Sequence, residues 1–231
     1  IAMAEVAKAP PVPAAKPGPE DTLHCDEFAY GFCRFIWCER GSRASLAPLG
    51  IEPGPAEFHV PVRPAAERRI EELLVKEGVK PGDRLVAINP GAGRPQKRWA
   101  VSRFAALAER LATEAGARLL LLWGPDEAHM AREISLALPG HSALLAPPTD
   151  LGELAALLRR CRLMIANDTG PLHLAAALGT PSLGLYGPTR AERNGPYGPR
   201  CRGLQSPDGA MTGLEVAEVF EAARGMIEGA A

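Results

Sequence analysis

Residues 163–187 read LMIANDTGPLHLAAALGTPSLGLYG, and this stretch carries the main indication of the fold. It opens with a short apolar run, breaks at residues 167–170 (NDTG), and resumes with Pro171 and a segment rich in alanine and leucine. Pro171 suits the first position of a helix, where its missing N–H costs nothing. The pattern therefore predicts a strand over 163–166, a tight turn, a helix, and a second buried strand over 181–186.

The turn is the place where chemistry is expected. It puts Asp168, Thr169 and Gly170 at the N-terminus of the predicted helix, and His173 falls in the first turn facing the same space. The first N–H groups of a helix have no partner within it, and its N-terminus carries about half a positive charge, so it binds phosphate readily. The alternative is that Asp168 or Thr169 only caps the helix and His173 only bonds to the preceding loop.

Strand and helix patterns alternate at least five times from residue 84 onward, and the strands are apolar without alternation. That pattern indicates an α/β fold, a parallel sheet with helices on both faces. Ligands bind such sheets beyond the carboxyl ends of the strands. We therefore expect three loops, 89–99, 124–127 and 167–173, to converge at one edge of the sheet.

Helix caps are expected at three places along the alternating region. Ser102 precedes one helical pattern, and Asp150 with Glu153 has the spacing of a capping box. Thr212 with Glu215 has the same spacing ahead of the last helix.

The three loops carry a cation, a carboxylate and the helix N-terminus. Lys97 could hold a diphosphate against the helix end, and Glu127 could accept hydrogen bonds from ribose hydroxyls. A nucleotide-sugar fits this set better than a bare phosphate, because it needs both a cation and an acceptor for a diol. Taken singly, Lys97 is typical of a solvated charge and Glu127 of an acidic first helical turn. Trp99 is more typical of a core than of a platform for base stacking.

Composition limits the partners that the chain can have. The 231 residues carry a formal net charge of -1, which argues against a nucleic-acid-binding surface. No apolar run is long enough to cross a membrane. An odd number of cysteines without a signal peptide favours reduced thiols in the cytoplasm, and their spacing does not suggest a metal site. The cysteines are Cys25, Cys33, Cys38, Cys161 and Cys201.

Three regions are expected along the chain. Residues 1–45 are expected to be disordered or irregular, because the first part is rich in alanine, proline and charge. Residues 46–82 are expected to form a linker and one helix, and residues 83–231 a Rossmann-like nucleotide-sugar-binding domain.

The motifs of the alternating region also carry a resemblance. They are NPGAGRPQKRW at 89–99, WGPDE at 123–127, DLGELAALLRRCRLMIANDTGPLHLAAALGTPSLGLYGPT at 150–189, and GPYGP at 195–199. In their order and spacing, from about residue 46 onward, the chain resembles the C-terminal half of glycosyltransferase family 9, the bacterial heptosyltransferase family.

The resemblance implies a GT-B fold, in which two Rossmann-like domains face each other, with this chain supplying the donor-binding one. It implies metal-independent transfer of a sugar, with ADP-heptose as the expected donor, no other cofactor, and a lipopolysaccharide core acceptor. It carries phosphate contacts onto Lys97, Thr169 and Gly170, a ribose or base contact onto Glu127, and further donor contacts onto Asp168 and His173.

The N-terminal part of the chain departs from the family's pattern. Family members begin with an acceptor-binding domain that supplies the catalytic carboxylate, and residues 1–45 do not resemble it. We therefore expect no catalytic residue in this chain, donor binding without turnover, and a place in the cytoplasm or at the periphery of the inner membrane. The main alternative is a non-enzymatic remnant or interaction module with a nucleotide-binding fold. A nucleotide-sugar epimerase is a more distant one.

Overall fold

The computed structural model describes residues 58–138 and 143–229 of the chain. The expectation for residues 1–45, and with it Cys25, Cys33 and Cys38, lies outside these ranges. Within them the chain forms a six-stranded sheet with helices on both faces.

The strands are β1 (Arg84–Asn89), β2 (Ala117–Leu121), β3 (Ala143–Leu145), β4 (Leu163–Asn167), β5 (Ser182–Tyr186) and β6 (Cys201–Gln205). The helices are α1 (Pro64–Lys76), α2 (Val101–Glu114), α3 (Ala128–Ala137), α4 (Leu151–Arg159), α5 (Gly170–Ala177), α6 (Ala191–Asn194) and α7 (Val216–Gly229). Two short 3₁₀ turns lie at Pro95–Lys97 and Met211–Gly213.

The strand order across the sheet is β3-β2-β1-β4-β5-β6, and every neighbouring pair is parallel. This is the order of a Rossmann sheet, in which β2 and β3 are added on one side of β1, and β4 to β6 are added on its other side. Asn89 at the end of β1 is paired with Ala166, and Asn167 at the end of β4 with Leu185 of β5. The predicted fold class is confirmed.

The strands bury both of their faces, which explains why their sequences are apolar without alternation. Val86 and Ile88 of β1 face a core formed with α2, α3 and α7. Leu85 and Ala87 face a second core formed with α1, α4 and α5. One sheet is therefore shared by two apolar layers.

Helix α1 packs on the same sheet as the alternating region. It buries Ile70 and Leu74 in the second core, and three of its charged residues form ion pairs with α4 or with the residue that follows it, Arg160. The pairs are Glu67–Arg159 at 2.9 Å, Arg69–Glu153 at 2.7 Å and Glu71–Arg160 at 3.0 Å. The boundaries of the three expected regions stay a prediction.

The capping box is confirmed, because the Asp150 side chain accepts from the Glu153 N–H while the Glu153 side chain accepts from the Asp150 N–H. The expectation for Ser102 is wrong, since α2 already begins at Val101 and has no side-chain cap. Trp99, two residues before this helix, is held by partners that are distant in the sequence. The backbone N–H of Trp99 donates to Asn167, and its indole N–H donates to the carbonyl of Leu214.

The expected cap of the last helix is also wrong. Thr212 lies in a 3₁₀ turn, and α7 begins only at Val216. The carbonyls of Thr212 and Leu214 accept hydrogen bonds from the Arg103 side chain. These carbonyls are therefore paired with a distant side chain and not with N–H groups of a helix.

Strand β6 was not expected from the sequence. It lies at the edge of the sheet, and among its residues only Leu204 is buried. An edge strand with one buried side chain lacks the apolar run that marks the central strands. None of the helices in the described ranges has the length and apolar character that a membrane crossing requires.

Candidate functional site

The three loops that were expected to converge do so beyond the carboxyl ends of β1, β2 and β4. The Lys97 ammonium lies 2.7 Å from the carboxylate of Asp168, although 71 residues separate them. Arg98 lies 3.5 Å from Glu127 and joins the first loop to the second. The convergence follows from the parallel order, which brings the ends of neighbouring strands to one edge.

Asn167 joins the first loop to the third. Its side chain is fully buried, and its amide nitrogen donates to the carbonyls of Pro90 and Gly91 at 2.8 Å and 3.2 Å. Its amide oxygen accepts from the backbone N–H of Trp99 at 3.1 Å. A primary amide can donate and accept at once, so this single side chain holds both ends of the loop that carries Lys97.

Asp168 is the centre of the charged cluster. Its Oδ2 accepts from Lys97 and, at 3.0 Å, from the Thr189 hydroxyl, while its Oδ1 lies 3.6 Å from Nε2 of His173. Burial acts to raise the pKa of this carboxyl, but the interaction with His173 and the charge and hydrogen bond of Lys97 outweigh it. The pKa of Asp168 is therefore held below its ordinary value, and the group is a carboxylate at neutral pH.

The N-terminus of α5 lies directly behind this cluster. Thr169 occupies the N-cap position, but its side chain accepts no hydrogen bond from the N–H groups of the helix, so Thr169 is not a side-chain cap. The contact of His173 with Asp168 is the one expected if His173 bonds to the preceding loop. The Thr169 hydroxyl and Nδ1 of His173 are buried and have no hydrogen-bond partner among the described residues. Buried polar atoms are normally paired. This end of the helix therefore offers unused hydrogen-bonding groups beside an ammonium group.

Glu127 packs against the backbone of the first loop. A Cβ added at Gly91 would lie 1.9 Å from Oε2 of Glu127, so only glycine leaves room for the carboxylate there. The turn before it needs Asp126 in the left-handed region, with φ of 62°. The Glu127 side chain is 18 % exposed.

The structure thus brings the six residues singled out from the sequence to one edge of the sheet. Asn167 and Thr189 were missed as contributors. Both lie in the motif at 150–189, but their contacts depend on which strands are neighbours in the sheet, and no local pattern in the sequence marks them. Trp99 is buried in the core, as expected. In the described ranges no three histidine, cysteine or acidic side chains are grouped to hold a metal ion.

The chain matches the model of glycosyltransferase family 9 (heptosyltransferase) over residues 61–223. It is 31 % identical over 159 residues to lipooligosaccharide heptosyltransferase 2 of Haemophilus influenzae, covering 66 % of this chain and 46 % of that protein. It is 34 % identical over 144 residues to the protein of the same name from Haemophilus ducreyi, covering 59 % and 41 %. The chain thus spans less than half the length of these curated relatives.

Solved structures agree with these relatives. A glycosyl transferase family 9 structure from Veillonella parvula aligns with a TM-score of 0.71 and 25 % identity, covering 76 % of this chain and 55 % of that one. An E. coli heptosyltransferase solved with ADP aligns with a TM-score of 0.56 and 26 % identity, covering 70 % and 48 %.

Proposed function

Because the chain belongs to glycosyltransferase family 9, the heptosyltransferases, we propose that its described domain binds the nucleotide-sugar donor of a heptose transfer. The donor is ADP-heptose, and the whole protein transfers its sugar to a lipopolysaccharide core acceptor. The names of the curated relatives support this reaction, and the E. coli heptosyltransferase solved with ADP supports the nucleotide.

The observation that carries the proposal is the position of the Lys97 ammonium, 2.7 Å from a carboxylate at the uncapped N-terminus of α5. We assign to a diphosphate placed there contacts with this cation and with the backbone N–H groups of Thr169 and Gly170, beside the buried Thr169 hydroxyl. His173 contacts the diphosphate from the first turn of the helix, and Asp168 holds the Lys97 ammonium beside the site before the diphosphate binds. Glu127 accepts hydrogen bonds from the ribose or the base.

This arrangement suits a reaction in which a nucleoside diphosphate leaves. Negative charge grows on the diphosphate as the bond to the sugar breaks, and groups already aimed at it stabilise the transition state. Hydrogen bonds to charged groups contribute roughly 1.5 to 3 kcal/mol each. Two or three that strengthen during the reaction account for about a thousandfold in rate.

None of the six proposed site residues has the role of base toward the acceptor. Each is assigned to the donor, and the cation and helix end neutralise its diphosphate without a metal. We therefore propose that this chain by itself binds the donor without turnover.

Titration calorimetry with ADP tests the donor site. We expect the chain to bind ADP and Lys97→Met to weaken binding by about 10- to 100-fold, the equivalent of one hydrogen bond to a charged group. Lys76→Met, which changes an exposed lysine in the last turn of α1, is the matched control and should bind as the wild type does. Absence of ADP binding by the wild-type chain, or equal binding by Lys97→Met, would contradict the proposal.

A further inference from the structure

We propose that Thr189 is a positioning residue of the donor site, which holds the Asp168 carboxylate in place when the Lys97 ammonium turns to the diphosphate. The inference rests on the donor binding proposed above. It assigns a role to a residue that lies outside both the turn at 167–170 and the basic loop at 89–99.

The geometry shows two donors on one oxygen. The Thr189 hydroxyl donates to Oδ2 of Asp168 at 3.0 Å, and the Lys97 ammonium reaches the same oxygen at 2.7 Å. Thr189 follows β5, which is the neighbour of β4 in the sheet, so the contact spans two adjacent strand ends.

Binding of a diphosphate changes the surroundings of this carboxylate. Without ligand the ammonium neutralises Asp168, and any hydrogen bond that Lys97 makes to phosphate draws it away from that partner. The Asp168 side chain is only 11 % exposed, so water replaces the lost contact poorly. A hydroxyl that remains on Oδ2 keeps the carboxylate hydrogen-bonded and oriented, and so makes release of the ammonium less costly.

The backbone that carries Thr189 is held independently of the ligand. A Cβ added at Gly187 would lie 2.7 Å from the backbone nitrogen of Met211, so the chain leaving β5 is packed closely on the turn after β6. Pro188 further restricts the backbone between Gly187 and Thr189. The hydroxyl therefore starts from a fixed position, as a positioning role requires.

Two substitutions separate the hydroxyl from the shape of the side chain. Thr189→Val keeps the shape and removes the donor, and Thr189→Ser keeps the donor. We expect ADP titrations to show binding weakened by about 3- to 10-fold in Thr189→Val, less than the loss of a full charged hydrogen bond because His173 still contacts Asp168. Thr189→Ser should bind within about twofold of the wild type, since its hydroxyl makes the same contact.

A second measurement needs no nucleotide. Carbon-13 NMR of the ligand-free protein follows the titration of the Asp168 carboxyl, and Thr189→Val should raise its pKa because the ionised form loses a donor. Thr189→Ser should leave this pKa as it is in the wild type. A role limited to packing predicts no difference between the two variants in either experiment.

The outcomes are distinguishable. If the wild type binds ADP and Thr189→Val binds equally well, or if Thr189→Ser is as weak as Thr189→Val, the assignment of Thr189 is overturned while the donor site stands. If the wild type does not bind ADP, the proposed function and the positioning role in it both fail. The NMR titration then still decides whether the hydroxyl holds the carboxylate.

Discussion

Asp168 must remain ionised in a place where burial favours its neutral form. The interaction with His173 and the Lys97 ammonium compensate for that burial and hold the pKa of the carboxyl below its ordinary value. The same carboxylate orients the ammonium that the proposed function assigns to the diphosphate. A contribution to folding stability and a contribution to binding thus come from one group.

The lowered pKa predicts how stability depends on pH. A carboxyl whose pKa is lower in the folded than in the unfolded state stabilises the fold above its unfolded pKa, and this stabilisation is lost as the pH falls through the folded one. We expect Asp168→Asn to be less stable than the wild type by about 1 to 2 kcal/mol at neutral pH, because Lys97 and Thr189 lose a charged acceptor.

Urea unfolding at a series of pH values measures this difference. The gap between wild type and Asp168→Asn should begin to close at about pH 4, the ordinary pKa of the carboxyl in the unfolded chain, and should vanish as the pH falls through the lowered pKa of the folded state. Glu218→Gln, an exposed carboxylate on α7, is the control and should show no comparable gap. A gap for Asp168→Asn that is constant with pH would contradict the assigned ionisation.

Among the secondary-structure elements, the loop from β1 to α2 is held by side chains of the two neighbouring loops, Asn167 and Glu127. Asn167 fixes its backbone at Pro90, Gly91 and Trp99, and the Glu127 carboxylate occupies the space that a side chain at Gly91 would need. The loop therefore fixes the positions of Lys97 and Glu127 together. A substitution at the contact between the loop and Glu127 should change the positions of both side chains.

Gly91→Ala tests this coupling. The added methyl group must displace the Glu127 carboxylate, which is the mobile end of a flexible side chain, so we expect a loss of stability of about 1 kcal/mol or less. ADP binding should weaken by about 10-fold, because the hydrogen bond from the nucleotide to Glu127 is lost. Gly225→Ala, in α7 where an added Cβ meets open space, should leave ADP binding unchanged. Unchanged binding by Gly91→Ala would remove Glu127 from the donor site.

Some of the contacts between these loops could be predicted from the sequence, and others could not. The meeting of Lys97 with Asp168 was predictable, since both follow strands of one parallel sheet. The contacts of Asn167 and Thr189 were not, because they depend on which strand lies beside which. Ser102 failed as a cap because Trp99 is anchored by Asn167 and Leu214, which are distant in sequence. Tertiary partners of this kind leave no local pattern.

At the scale of the whole molecule, two apolar layers share one sheet. Apolar strands that alternate with amphipathic helices predicted this arrangement, because such strands are buried only in a sheet that helices cover on both faces. Strand β6 was not predicted, because Arg202 and Gly203 are exposed at an edge and only Leu204 marks a core position.

For the chain as a whole we expect donor binding without transfer. Incubation of the 231-residue protein with ADP-heptose and a lipopolysaccharide core acceptor should release no more ADP than incubation without the acceptor. Chromatographic detection of ADP measures both reactions. Acceptor-dependent release that Lys97→Met reduces would show that a base toward the acceptor is present in these 231 residues.

The ion pair between Lys97 and Asp168 joins positions 71 residues apart, on loops that follow two strands adjacent in the sheet. A chain emerging from denaturant has no such pair until β1 and β4 align, and the pairing of parallel strands so far apart in sequence is slow compared with forming a helix. The nucleotide should therefore not bind collapsed or partly helical folding intermediates. A fluorescent ADP analogue added during refolding would report the moment at which the centre of the sheet is completed.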